Sequence, residues 1–445
     1  MSKASIQLSD HFTCGRLIRF TLPSITMMIF TAVYGVVDGF FVSNFVGKTP
    51  FAAVNFIYPL LIMLGSVGFM FGTGGTALIS KTMGEGDFKK ANETFSMLVW
   101  TSAILGVVLA ALGFFLLRPV ASAMGAEGEM LAGCELYGGI ILLSLPFYVL
   151  QYEFQCLFAT AGKPKLGLFV TVAAGVTNMA LDALFTAVLP WGLAGAAAAT
   201  ALSQLVGGVI PLIYFGRKKS SLLRLTRFRF DFRALAKACG NGSSEFLSSV
   251  SGSLVSMLYN IQLLKYAGEN GVAAYGVLMY VNMIFLAIFI GYSVGVAPVI
   301  GFQYGAGNRA ELHSLLKKSL TIIGGTAVLM FAAGELLAEP LTLLYVGYDA
   351  ELLALTLRAF SIFSFSFLLA GFSIFGSAFF TALNNGAVSA VISFLRTLVF
   401  QIFAVLTFPL LWDIDGIWLS IVGAEVMAVV VTVIFLFAKR KKYGY

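Results

Sequence analysis

Long apolar runs separated by short polar breaks set the pattern of this chain. A helix needs about 20 mostly apolar residues to cross the hydrocarbon core of a bilayer, and twelve runs within the 445 residues reach that length. The runs lie at residues 16–41, 52–80, 94–117, 133–159, 166–188, 193–216, 240–265, 272–300, 315–337, 356–380, 387–410 and 417–438. The pattern predicts an all-α polytopic membrane protein with twelve transmembrane helices.

The second half of the chain repeats the first at an offset of 221 residues. Small and aromatic residues coincide without a gap: Gly47 with Gly268, Gly74 with Gly295, Phe158 with Phe379, Trp191 with Trp412, and Gly195 with Gly416. Six spans per half give both halves the same orientation, so a pseudo-twofold axis along the membrane normal relates them. We predict an N-terminal lobe at 1–216, a basic linker at 217–237 and a C-terminal lobe at 238–445.

Composition agrees with a membrane protein, since 59% of the residues are hydrophobic, only 11% are charged, and the mean hydropathy is +0.92. Soluble domains carry about 25% charged residues. Of the 28 Lys and Arg, 23 fall on the side of the two termini, eight of them between Arg217 and Lys237. Because cytoplasmic loops carry the excess of Lys and Arg, we expect both termini in the cytoplasm. The net charge of +7 therefore does not indicate nucleic-acid binding.

Several kinds of chemistry find no support in the sequence. The four cysteines are scattered, so no disulfide framework is predicted. Both histidines, His11 and His313, lie outside the spans, and no zinc-protease, nucleophile-elbow or P-loop motif occurs. We therefore expect no enzyme, no catalytic residue and no cofactor, and any transport must be driven by an ion gradient. The polar loops after spans two and eight are predicted to form amphipathic helices in the membrane interface.

Asp38 is the only charged residue between Arg19 and Lys48. A carboxylate within a membrane span costs about 2.5–3.5 kcal/mol, so it usually faces a polar cavity and binds something. The alternative is that Asp38 lies near the outer end of the span and reaches the interface. Tyr34 lies one turn earlier on the same face, where its hydroxyl could reach the carboxylate. Pro23 removes a helical hydrogen bond and weakens the helix at that point.

Asp182 in span five lies at a depth comparable to that of Asp38, in the outer half of the first lobe. Asn178 precedes it by one turn, on the same face. Two carboxylates, an amide and a hydroxyl that converge would suit Na⁺, since hard cations take oxygen ligands. They would equally suit a proton shared between the carboxylates.

Four further ionisable residues lie inside predicted spans. Glu153 and Glu245 lie in spans four and seven, toward the cytoplasmic ends of these spans. There they could gate the inner mouth, line a cavity or reach water. Arg396 and Glu425, in spans eleven and twelve, could pair, either as a structural salt bridge or as part of a cavity or gate.

The sequence resembles the MATE (multidrug and toxic compound extrusion) transporters of the MOP superfamily over essentially its whole length. The resemblance rests on Pro23 with the run YGVVDGFFV around Asp38, the stretch AGKPKLGLF…TNMALDALF…WGLAGAAAATA, and the loop GFQYGAGN. It implies multidrug efflux, an antiporter coupled to Na⁺ or H⁺ that expels small organic cations from a bacterial cytoplasmic (inner) membrane. We expect a monomer in contact with membrane lipid.

The resemblance also implies which residues act. The cation site of the family's first lobe maps onto Asp38, Asn178, Asp182, Thr200 and Tyr34, with Na⁺ possible at the first four, and its helix-bending proline maps onto Pro23. Some branches carry acidic ligands on helices seven and ten of the second lobe. Span ten of this chain contains no acid, and Glu245 comes early in span seven, which puts a second-lobe site in doubt.

Two other functions stay open from the sequence. A flippase for lipid-linked saccharides has the same helix layout, but its cavity should be strongly cationic, whereas the spans here offer only Arg396 in mid-membrane against four or five acids. A scaffold or sensor without transport would tolerate neutralisation of Asp38.

Overall fold

The computed structural model describes residues 7–217, 222–347 and 349–445, and every regular element in these ranges is helical. Residues 1–6 of the predicted N-terminal lobe and 218–221 of the predicted linker lie outside the described residues. Eleven helices in the described ranges are long and apolar enough to cross a membrane. The longest, Phe232–Gly305, breaks at Gly268 and supplies two spans, which gives the twelve membrane helices that the sequence predicts.

The helices are α1 (Cys14–Val46), α2 (Lys48–Gly84), α3 (Phe88–Ala123), α4 (Gly128–Thr160), α5 (Pro164–Val188), α6 (Gly192–Gly216), α7 (232–267), α8 (269–305), α9 (Arg309–Val346), α10 (Ala350–Ala382), α11 (Gly386–Thr407) and α12 (Pro409–Tyr443). Three of them contain π-helical turns, at Val42–Val46 in α1, Ala183–Val188 in α5 and Leu395–Val399 in α11. The helices form two six-helix lobes, α1–α6 and α7–α12.

The start of α7 differs from the prediction. The Asp231 side chain accepts hydrogen bonds from the N–H groups of Arg233 and Ala234, so the helix begins at Phe232 and residues 232–237 of the predicted linker are helical. Residues 222–231 are not free either, because their backbone bonds to α3. The Arg224 N–H lies 2.7 Å from Asn92 Oδ1, which fixes this segment to the first lobe.

The predicted interface helices are not separate elements. Asp87 caps α3 and Asn308 caps α9, each by accepting a hydrogen bond from a backbone N–H three residues on. Both helices then run without interruption into the membrane, since no residue inside them leaves the helical conformation. The amphipathic stretches are therefore the first turns of transmembrane helices.

The internal repeat extends to the backbone. Gly47 (φ 120°) separates α1 from α2, and Gly268 (φ 61°) separates α7 from α8 at the equivalent position. Gly192 (φ 60°) is the first residue of α6, and Asp413 (φ 48°) takes the equivalent position in the first part of α12. Positive φ is easily adopted by glycine and costs other residues energy, so the chain turns the same way in both lobes even where the residue type differs.

Both ends of the chain meet at one side of the bundle. The Phe12 N–H donates to Glu311 Oε1 at 3.0 Å, and the Tyr443 ring packs edge-on against Tyr304 at 5.7 Å between centroids. We call this the terminal side and the opposite side the far side.

The two lobes touch where α2 crosses α7 and α8. A Cβ at Gly242 would lie 1.9 Å from the Met70 carbonyl oxygen, and one at Gly305 would lie 2.0 Å from the Lys81 carbonyl oxygen. Backbone therefore packs on backbone through the terminal half of the interface, which only glycine permits. Toward the far side, α2 and α7 diverge around a cavity of about 1,200 Å³ that extends past Gly268 to Ala273.

We predict that Gly242→Ala destabilises this packing. The added methyl would overlap a backbone carbonyl that cannot rotate away, and overpacking of this kind costs about 1–3 kcal/mol. Thermal unfolding of the purified protein should show a lower melting temperature. Gly240→Ala is the matched control, because a Cβ at Gly240 meets nothing within 4 Å. Equal melting temperatures for the two variants would contradict the close-packed interface.

Candidate functional site

Four polar side chains from α1, α5 and α6 converge in the first lobe. Thr200 Oγ1 on α6 donates to Asp38 Oδ1 on α1 at 3.3 Å, and Asn178 Nδ2 on α5 donates to Thr200 Oγ1 at the same distance. The Asp182 carboxyl, one turn beyond Asn178, lies beside the Asp38 carboxyl. Asn178 and Asp182 are buried, while Asp38 is half-buried. The structure thus brings together the four residues that the sequence singled out as oxygen ligands.

The cluster contains more acceptors than donors. Both carboxylate oxygens of Asp182 and Oδ1 of Asn178 are buried with no hydrogen-bond donor among the described residues. Carboxylates only accept hydrogen bonds when ionised, and two of them in contact repel unless a proton or cation lies between them. Carboxylate, amide and hydroxyl oxygens are also the ligands of hard cations. The arrangement can therefore hold one proton or one small cation.

Irregular helix geometry surrounds this cluster. The α-helical part of α5 ends at Asp182 and continues as the π-helical turn Ala183–Val188. The α1 helix changes in the same way one turn after Asp38, at Val42–Val46. Such π-turns inside helices occur frequently at functional sites. Pro23 lies about four turns before Asp38, and α1 runs through it with continuous helical backbone.

Tyr34 makes no hydrogen bond to Asp38 among the described residues. Its side chain interacts with Gln151 of α4 and lies against the Phe30 ring, at 6.1 Å between centroids. It is still an electrostatic neighbour of Asp38, which lies one turn toward the C-terminus. The hydroxyl that does reach the cluster belongs to Tyr137 of α4, which interacts with Thr200. No pattern in the sequence signalled Tyr137, since it lies among ordinary apolar positions.

Tyrosines connect the cluster with the interlobe cavity. Tyr58 of α2 lines the cavity and is an electrostatic neighbour of Asp38. Tyr152 of α4 lies beside Tyr58, and its hydroxyl accepts a hydrogen bond from the Tyr148 hydroxyl at 3.2 Å. A change of charge at Asp38 therefore acts directly on a residue in the cavity wall.

The second lobe has a neutral network at the equivalent place. Tyr259 stands 221 residues after Asp38, and its hydroxyl donates to Gln401 Oε1 at 2.7 Å and lies 2.8 Å from Ser420 Oγ. Tyr259 is 1% exposed, so the network is sealed from the cavity. Glu425 is an electrostatic neighbour of Tyr259 but is not hydrogen-bonded to it among the described residues.

Arg396 and Glu425 form an ion pair inside the second lobe. Arg396 Nε lies 3.0 Å from both carboxylate oxygens of Glu425, and Ser373 Oγ donates to Oε2 at 3.1 Å. The two side chains are 15% and 6% exposed. Neither lines the interlobe cavity, so the pair belongs to the interior of the lobe.

The two remaining acids lie in different surroundings. Glu153 is fully buried within the first lobe, where it accepts a hydrogen bond from Ser102 of α3, so it is remote from the cavity wall. Glu245 is half-buried on α7, one turn below the cavity-lining Ser248 and on the same helix face. Its nearest opposite charge is Arg396. Glu245 is therefore the one of these four residues that borders the cavity floor.

Two six-helix lobes around a shared cavity are the architecture of a membrane transporter. The MatE family model matches the chain twice, at residues 23–184 and 246–407, once in each lobe. The matches cover more than half of the chain, and it belongs to the MatE family. This confirms the family, the twelve-helix fold and a transporter rather than an enzyme.

Curated relatives extend over nearly the same length. The chain is 23% identical over 430 residues to the multidrug export protein MepA of Staphylococcus saprophyticus, covering 96% of this chain and 94% of that protein. It is 23% identical over 428 residues to MepA of Staphylococcus haemolyticus, with the same coverage.

Solved structures share the fold at low sequence identity. An outward-facing multidrug resistance MATE transporter of the MOP superfamily superposes with a TM-score of 0.93 at 22% identity, covering 100% of this chain and 99% of that one. A MOP superfamily transporter from Pyrococcus furiosus, described as having a binding pocket of reversed polarity that suggests a different function, superposes at 0.91 and 22% identity, with complete coverage of both chains.

We predict that Arg396→Gln strongly destabilises the protein, because it leaves Glu425 buried without a counter-charge. Removing one partner of a buried pair costs about 3–5 kcal/mol, whereas replacing both partners is often nearly neutral. The double variant Arg396→Gln/Glu425→Gln should therefore recover most of the lost thermal stability. A double variant as unstable as the single one would show that the pair has a role beyond charge compensation.

Proposed function

We propose that this protein is an antiporter that exports small organic cations in exchange for Na⁺ or H⁺ by alternating access. The observation that carries the proposal is the pairing of an acceptor-rich carboxylate cluster with a cavity whose described lining has no basic side chain. Glu269 is the single charged residue in that lining, beside hydroxyl, amide, aromatic and aliphatic groups. Such a cavity favours a cation with apolar substituents.

The cluster supplies the coupling. Asp38 and Asp182 with Asn178 and Thr200 would hold the ion, and Tyr58 would pass its effect to the cavity wall. Binding of a proton or Na⁺ removes the repulsion between the carboxylates and allows α1 to move against α5 and α6. Pro23, which lacks a helical hydrogen bond, is where α1 would bend. The substrate is then held less firmly and leaves toward the far side.

The geometry of the lobes supports alternating access. The lobes are closed by glycine contacts on the terminal side and separated by the cavity on the far side. Export requires the opposite arrangement as well, with those contacts broken and the far half closed. Since the terminal side carries most of the Lys and Arg, we assign it to the cytoplasm of a bacterial inner membrane, with lobes at 1–216 and 238–445 in a monomer surrounded by lipid.

The relatives support drug export as the function of this protein. Both MepA proteins are described as multidrug export proteins. A flippase for lipid-linked pyrophosphates would need basic groups in the cavity, and Arg396, the one arginine at mid-membrane, is engaged by Glu425. Export of cations is therefore favoured over transfer of anionic lipids, and over a scaffold without transport.

We predict that Asp38→Asn and Asp182→Asn each abolish efflux while leaving expression intact. Either amide removes the charge that the coupling ion compensates. The measurement is ethidium efflux from proteoliposomes, with a Na⁺ gradient and a proton gradient imposed separately. Glu135→Gln is the matched control, a half-buried carboxylate of the same lobe that is paired with the exposed Arg118. Wild-type efflux by both aspartate variants would refute the ion site, and absence of efflux by the wild type would favour the flippase.

We also predict that Thr200→Val weakens ion coupling without abolishing it. The Thr200 hydroxyl donates to Asp38, and a hydrogen bond to a charged group is worth about 1.5–3 kcal/mol. The ion concentration for half-maximal efflux should shift about tenfold or more, since tenfold corresponds to 1.4 kcal/mol. Thr200→Ser keeps the hydroxyl and should behave as wild type. An unchanged ion dependence in Thr200→Val would exclude this hydroxyl from the site.

A further inference from the structure

A second pocket lies in the outer wall of the C-terminal lobe, away from the cavity between the lobes. It has a volume of about 340 Å³ and is formed by α9, α10 and α12. Its lining includes Phe331, Glu335, Ser361, Phe365, Leu419 and Val422. We call this the wall pocket. None of these residues lines the interlobe cavity, so the wall pocket is a separate site.

Glu335 is the charged group of the wall pocket and lacks a counter-charge. The Ser364 hydroxyl donates to its carboxylate, yet among the described residues Glu335 has no ion-pair partner. The nearest arginine along α10, Arg358, is engaged by Asp415 of α12. A carboxylate on a lipid-facing helix is costly and is retained where it meets a polar or charged partner.

Two aromatic rings that pack on each other line the same pocket as this carboxylate. The Phe331 and Phe365 ring centroids lie 4.9 Å apart at 48°, and Phe365 is 50% exposed at the edge of the pocket. The helix α10 tightens here into the 3₁₀ turn Ser364–Ser366. This turn contains Phe365, and its Ser364 hydroxyl donates to Glu335. Aromatic faces attract cations within about 6 Å, more strongly for an ammonium removed from water.

The depth of the wall pocket limits what can enter it. Ser361 and Leu419 lie three and four residues further into the membrane than Arg358 and Asp415, which form an exposed ion pair near the far-side ends of α10 and α12. At a rise of about 1.5 Å per residue, the pocket lies about 5 Å below that pair. This is the level of the boundary between lipid headgroups and acyl chains, where the charged head of an amphiphile resides.

We propose that the wall pocket binds the ammonium head of an amphiphile dissolved in the far leaflet, with Glu335 as counter-charge and the apolar tail remaining among the lipids. The ammonium can come from an aminophospholipid or from a lipophilic organic cation. A link between this site and export rests on the proposed function, but binding itself needs neither an ion gradient nor the Asp38 cluster.

The test is native mass spectrometry of the purified full-length protein with three probes added separately: phosphatidylethanolamine, dodecyltrimethylammonium and phosphatidylglycerol. We expect ammonium adducts on the wild type that fall about tenfold in Glu335→Gln, because the variant loses the counter-charge. Glu339→Gln is the matched control, since Glu339 is an exposed carboxylate one turn away on α9 and lies outside the pocket. Phosphatidylglycerol should bind equally to all three proteins.

The outcomes separate the two sources and the two proposals. Adducts of phosphatidylethanolamine alone identify a lipid site, and adducts of dodecyltrimethylammonium alone identify a site for organic cations. Phe365→Leu, which keeps Glu335 and removes one ring, should weaken either adduct and guards against a folding defect in Glu335→Gln. Ammonium adducts that are equal in Glu335→Gln and Glu339→Gln overturn the wall pocket. Asp38→Asn should retain the adducts, so a failure of the export proposal leaves this test intact.

Discussion

A polar atom inside a bilayer has no water to pair with, and this constraint organises the whole molecule. Helices satisfy the backbone, and most buried polar side chains are satisfied by neighbours: Arg396 by Glu425, and Tyr259 by Gln401. Against that background the two unpaired carboxylate oxygens of Asp182 stand out, because they face a second carboxyl, that of Asp38. Among the described residues no donor completes this cluster, and we therefore propose a proton or a cation as its partner.

The two lobes share a backbone but differ in chemistry. Positive-φ positions recur 221 residues apart, and the family model matches each lobe once. Yet the position of Asp38 is taken by Tyr259 in the second lobe, where a hydroxyl and an amide satisfy each other. One lobe therefore has a charge-dependent cluster and the other a fixed one. In the mechanism that we propose, ion binding acts on one lobe only and therefore moves the lobes relative to each other instead of expanding both.

The sequence was sufficient for features that depend on one helix at a time. Apolar length predicted the helices, and helical rise placed Asp38 and Asp182 at the same depth, where the structure brings them together. Features that depend on the exact direction of a side chain could not be predicted. Tyr137 reaches the cluster from α4, and Tyr34 turns toward Gln151, because side-chain direction and helix packing decide both. The early start of α7 depended on a cap, Asp231, inside a segment whose basic composition is typical of a loop.

The glycines and the cluster act on opposite halves of the same interface. On the terminal side Gly242 and Gly305 bring backbones into contact, and such contacts are either fully made or broken, since a carbonyl beside a glycine has little room to slide. On the far side, α2 places Tyr58 in the cavity wall, where it is an electrostatic neighbour of Asp38. In the alternating-access mechanism that we propose, a small bias on the far half is enough to break these contacts. Neutralising one carboxylate next to the cavity wall is a bias of that kind. The electrostatic effect of this neutralisation is large in a low dielectric, and it ends once the ion leaves.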